Sequence, residues 1–223
     1  MFDNHPARID NDVTLATINI AQFLSSEGFD TTIARQRARA ALNAAGLTNA
    51  RKQGFDDAKL DRVRAVLVTA FTRVCDACWD LAPAAPPPIL VSDSISCAVC
   101  KGSNNRRAAL RLAHVMQREG ARNLLVVGGT PAHHNELRRL LEGSAVDLRC
   151  VDGAAHSPSQ KEAWSLLQWA DVTVIWASTP LPHKVSALFT SEPLGRPPLT
   201  VARRGIEALC TEVCVSLERH GAG

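Results

Sequence analysis

The chain has 223 residues, 46% of them hydrophobic and 21% charged, enough for one large or two small domains with a buried core. A net charge of +3 excludes a strongly polyanionic or polycationic chain; it permits a polyanionic partner without requiring one. No apolar run approaches the length of a membrane span, and Met1 to Asp12 is polar and acidic, unlike a secretory leader, so a cytoplasmic protein away from membranes is expected. Seven cysteines are many for a compartment where disulfides are rare, and call for metal binding or burial.

Residues 1–74 read as a small all-α module. After a loose tail, Asp12 can cap a helix carrying Leu15, Ile18, Phe23 and Leu24, closed by Gly28. Asp30 or Thr31 caps a second, IARQRARAALNAAG, whose Arg35, Arg37 and Arg39 are its polar decoration. A basic loop with Arg51 and Lys52 follows, and Asp56 opens a third helix with an apolar stripe from Leu60 to Val74. Three short helices and this basic loop suggest a helix-turn-helix-like module that touches nucleic acid through Arg35, Arg37, Arg39, Arg51 and Lys52. The plainer reading is a helical cap or dimerisation arm with solvated arginines.

Residues 75–100 hold two C-x-x-C pairs, Cys75/Cys78 and Cys97/Cys100, separated by residues 79–96. That interval fits the four-thiolate zinc pattern, each pair giving two ligands to a tetrahedral ion. Gly102 after the second pair helps the backbone turn. Such a site is structural, since four thiolates leave no open coordination position. The proline-rich LAPAAPPPIL between the pairs is expected to be a stiff extended connector. The alternative places Ile95, Cys97 and Val99 on one face of a plain strand at 94–100.

From residue 101 to the end, strands and helices alternate, the mark of a Rossmann-like α/β domain: a parallel sheet with helices on both faces. Its centre is 124–152, where LLVVGG gives a buried strand and a glycine turn, Leu137, Leu140 and Leu141 a helix face, and Val146 to Val151 the next strand. Further elements are expected at 106–120, 158–169, 171–178, 182–190, 198–202 and 205–220. Strand tips of such a sheet meet along one edge, where ligands bind. They offer Gly128, Gly129 and Thr130; Asp152 and Gly153; Ser178, Thr179, His183 and Lys184; and Arg203 and Arg204. Ser103, Asn104, Asn105 and Arg106 join them if 94–100 is a strand of the same sheet. Glycine turns at helix starts and nearby cations suit a phosphate or nucleotide, although neither dinucleotide nor P-loop spacing occurs. His183 and Lys184 are the candidates for acid–base work. Adjacent His133 and His134 face apart on a helix and do not form a metal pair. Cys210, Cys214, Trp164, Trp169 and Trp176 read as packing.

Over residues 124–218, the order LLVVGGT, CVDG, ADVTVIWAS, the histidine of PHKVSALF and the strand leading to ARRG is similar to the bacterial domain of unknown function two-three-two-five. The resemblance implies a small Rossmann-like domain with an accessory, regulatory or defence-associated role. Gly128, Gly129 and His183 match its motif by position; Pro180-Leu181-Pro182 stands where a cysteine or aspartate is often found. The expectation is therefore a zinc-containing regulatory or accessory protein that binds nucleic acid or a nucleotide-like phosphate ligand and works as a homodimer or within a larger complex. A nucleotide- or phosphodiester-processing enzyme at the strand tips and a non-catalytic assembly subunit are the alternatives.

Overall fold

The computed structural model describes residues 16–152, 157–177, 181–190 and 197–220. The chain divides into two compact units, Met1–Ala98 and Val99–Gly223.

In the first unit, strand β1 (Thr17–Asn19) leads directly into helix α1 (Ile20–Ser26). The Asn19 side chain caps that helix by accepting the Gln22 N–H at 3.1 Å. Helix α2 (Thr32–Ala44) is capped in the same way by Thr31, whose hydroxyl accepts the Ala34 N–H. Strand β2 (Gly54–Asp56) pairs antiparallel with β1, Ile18 opposite Phe55. Helix α3 (Leu60–Ala70) follows, and strands β3 (Thr72–Val74) and β4 (Pro88–Leu90) pair in parallel. Ala34, Ala38 and Leu42, one turn apart on α2, pack with Ile20, Phe23, Leu24, Phe55, Val63 and Leu67, and Phe23 meets Phe55 edge to face at 5.2 Å.

Three expectations change here. The N-terminal part is not all-α: β1 precedes α1, which begins at Ile20 with Asn19 as its cap, and β2 lies between α2 and α3. Asp12 itself lies outside the described residues. The proline-rich stretch is not a bare connector, since Pro88–Leu90 form β4 and Ile89 is buried. Residues 94–100 are a series of turns and not a strand. The Asp93 carboxylate accepts the Ile95 N–H, Ser94 O accepts the Cys97 N–H, and Lys101 and Gly102 follow with φ of 50° and 77°.

The second unit is α/β, a four-stranded parallel sheet flanked by helices. Its strands are β5 (Asn123–Gly128), β6 (Asp147–Val151), β7 (Val172–Trp176) and β8 (Leu199–Val201), in the order β6-β5-β7-β8. Helices α4 (Asn104–Arg118), α5 (Pro131–Leu141) and α8 (Ile206–His220) pack on one face; α6 (Gln160–Trp169) and α7 (His183–Thr190) pack on the other. The central strand shows why its sequence is apolar without a break. Leu124 and Val126 enter the α4/α5/α8 core, while Leu125 and Val127 enter the α6/α7 core. Ser159 and Glu162 close a reciprocal capping box on α6.

The chain leaves β5 toward β6 and returns across it to β7, so the strand order reverses at β5, the place where such sheets open a crevice beyond their strand tips. Gly128 and Gly129 stand there with φ of 93° and 84°. A β-carbon on Gly129 would lie 2.6 Å from the indole ring of Trp176. Gly129→Ala therefore combines a left-handed backbone with a clash against a buried ring. It should destabilise the chain by at least about 2 kcal/mol, read as a lower urea midpoint at unchanged slope.

Candidate metal centre and strand-tip rim

Cys75 directly follows β3, and Cys78 sits in the short 3-10 helix Asp76–Leu81, its N–H donating to Cys75 O at 2.9 Å. That bond folds the first pair into a tight turn. The second pair is tied to the same strand, because the Ala98 N–H donates to Arg73 O at 2.8 Å. Beyond it the Ser103 N–H donates to Cys100 O, and the Ser103 hydroxyl accepts the Arg106 N–H to start α4. These turns aim four sulfurs inward. All four cysteines are buried, Cys75 being the most exposed at 5%, and their Sγ atoms lie within 4.8 Å of one another. Zinc–sulfur bonds of about 2.3 Å set tetrahedral sulfurs about 3.8 Å apart, so the cluster has the size and donor set of a metal site. The Arg107 guanidinium reaches it, with Nη2 3.9 Å from Cys100 Sγ.

The remaining cysteines differ in kind. Burial pushes the Cys210 thiol up to about 12, with Cys214 beside it adding to the shift. Burial likewise pushes Cys214 and Cys150 up to about 11. Cys210 and Cys214 lie in the α8 core among Ile206, Leu209, Val213 and Leu217. They are neutral core residues, as their helical spacing suggests.

The strand tips gather around Trp176, which is fully buried at the end of β7. Its indole N–H donates to Arg203 O at 3.1 Å, its ring packs on His133 at 5.0 Å, and its backbone and ring fill the space beside Gly128 and Gly129. The buried His134 places Nε2 2.7 Å from Gly128 O; a carbonyl only accepts, so Nε2 carries the proton. Thr130 caps α5 through the His133 N–H. The double glycine is thus accounted for by the close approach of Trp176, a contact that sequence reading missed. The available signal was an aromatic ending one strand beside a paired glycine ending its neighbour.

Other rim residues are more dispersed. Asp152 follows β6 and lines a cleft of about 440 Å³ with Cys150, Pro158, Glu162 and Leu166. His183 and Lys184 begin α7, and Arg203 and Arg204 follow β8; all four are exposed. Asn104 and Asn105 open α4, and Asn105 Oδ1 accepts the Glu207 N–H at 3.3 Å, bringing the starts of α4 and α8 together. The expected route to that rim, a strand at 94–100, is not the one used. Arg106 turns away to donate to Val99 O at 2.8 Å. Gly153, Ser178 and Thr179 lie outside the described residues.

The arginines of α2 are bound into the fold. Arg35 donates to Asp30 O at 2.7 Å, and Arg37 donates to Pro88 O and covers the Phe71 ring. Arg39 donates to Lys52 O and Ala50 O. Asn49 Oδ1 accepts the N–H groups of Arg51 and Lys52, each at 3.0 Å, so the basic loop is held as a fixed turn with both side chains exposed.

No family profile, curated protein or solved structure matches this chain. Among the described residues no helix is long and apolar enough to cross a membrane.

The thiols give a pH prediction. An acid whose pKa is raised on folding keeps its proton while the unfolded chain ionises near 9, so stability is full below that pH and is lost as pH rises toward 11–12. The chain has no tyrosine to titrate in the same window. Urea midpoints should fall between pH 8 and pH 10.5, and Cys210→Ala with Cys214→Ala should flatten that fall.

Proposed function

We propose that the chain is a zinc-containing accessory protein that binds and does not catalyse. Its four-cysteine centre holds one structural zinc ion, and its α/β unit is a Rossmann-like scaffold. The observation that carries the zinc reading is the convergence of Cys75, Cys78, Cys97 and Cys100 Sγ atoms to within 4.8 Å, in two C-x-x-C turns and with no carboxylate or imidazole in the group. Four thiolates complete a tetrahedral shell, so the ion supplies folding energy and offers no position to a substrate. Purified chain should carry one zinc by native mass spectrometry. Cys78→Ser should lower zinc affinity by two orders of magnitude or more and lower the melting temperature. Zinc-free purified chain with wild-type stability would refute the reading.

The non-catalytic part is supported by Trp176. Its ring is fully buried in the α4/α5/α8 core and closes against Gly129 at the reversal of strand order, where a nucleotide would ordinarily sit.

A nucleic-acid or phosphate contact is favoured by one specific feature, the fixed turn that presents Arg51 and Lys52 with their backbone held by Asn49 and Arg39. A preorganised basic turn loses little entropy when it meets a phosphate backbone. Arg51→Ala with Lys52→Ala should weaken binding to duplex DNA or RNA and reduce the slope of log affinity against log salt by about two. An unchanged slope would exclude the turn from the contact.

A further inference from the structure

We infer that Arg107 is the charge partner of the four-cysteine centre and sets how tightly it holds its ion; this rests on the zinc reading above. A divalent ion with four thiolates carries a net charge of −2, and all four sulfurs here are buried, where an uncompensated charge is costly. A cation at contact distance offsets that cost, as groups beyond the ligands do at metal sites generally.

Chain geometry delivers Arg107 to that position. Cys100 O accepts the Ser103 N–H, Ser103 caps α4, and the Arg107 N–H donates to Ser103 O at 3.0 Å, placing residue 107 one turn into the helix. From there the half-buried guanidinium puts Nη2 3.9 Å from Cys100 Sγ. Neighbouring cations are engaged elsewhere or exposed. Arg106 donates to Val99 O, Arg73 is paired with Glu27 at 3.2 Å, and Lys101 is solvent-exposed. A neutral thiol gains little from a guanidinium, whereas a thiolate gains a charge-assisted hydrogen bond. Arg107 therefore acts on the metal-bound form of the centre in particular.

The test uses the full chain, zinc affinity by chelator competition, and Co²⁺ as a spectroscopic stand-in. Arg107→Gln should bind zinc 10–100-fold more weakly while its Co²⁺ complex keeps the bands of a tetrahedral four-sulfur site. Arg107→Lys, which preserves the charge, should retain most of the affinity. Arg111→Gln, one turn further along α4 and paired with Glu218, should match wild type. Wild-type affinity in Arg107→Gln, or equal losses in the Gln and Lys variants, would overturn the assignment. Should Arg107→Gln fail to fold, the Lys variant decides: near-wild-type affinity supports the role and a tenfold loss overturns it. A wild-type chain that takes up neither zinc nor Co²⁺ overturns the zinc reading itself, a result distinct from any difference among variants.

Discussion

Four buried sulfurs facing one another are the constraint on which the segment from β3 to the start of α4 depends. The elements there are minimal: strands of three residues each, one short 3-10 helix and a series of turns. A two-stranded sheet of that length has little stability of its own. Three main-chain bonds in the segment serve to bring the cysteine pairs into place. Ala98 is fastened to Arg73, Cys78 to Cys75, and Ser103 to Cys100. A metal at the focus would convert these weak local preferences into one cooperative structure, as small metal-stabilised folds require.

Legibility in the sequence followed element size and the kind of pattern. The strand at 123–128 and the helices around it were readable because both of its faces are buried and the flanking helices carry apolar residues at regular spacing. Three-residue strands such as β1 and β3 are too short to show alternation, so in sequence they merge with the neighbouring helices. The stretch SISCAVC alternates like a strand, yet Asp93 and the left-handed Lys101 and Gly102 make turns of it. Cysteine spacing was the clearest site signal, because two ligands on one tight turn need a fixed number of intervening residues. Pairing of residues distant in sequence was not readable: Trp176 with Gly129 and Arg203, or Asn105 with Glu207. Arg107, seven positions after Cys100, carried a partial clue in its place one turn after the Ser103 cap.

Cations tell a similar story. Arg35, Arg37 and Arg39 look in sequence like a row of free charges, but each guanidinium donates to a main-chain carbonyl. Arg37 also lies over Phe71, so its value to the fold includes the ring it covers. A hydrogen bond to a neutral carbonyl leaves the guanidinium charged but fixes its position. Arg35 and Arg37 stay exposed while so tethered, whereas Arg51 and Lys52 are exposed on a turn that Asn49 holds through their main chain.

The meeting of Trp176 with Gly128 and Gly129 binds three positions to a common history. While the indole stays, any side chain at 129 collides with it, and one at 128 meets the Trp176 carbonyl at 2.6 Å. A smaller residue at 176 would vacate the ring's volume and release the indole's hold on Arg203. Such a change would clear the space beside Gly129, whereas Gly128 would still face the main-chain carbonyl of residue 176, and the left-handed backbone at both positions would still favour glycine.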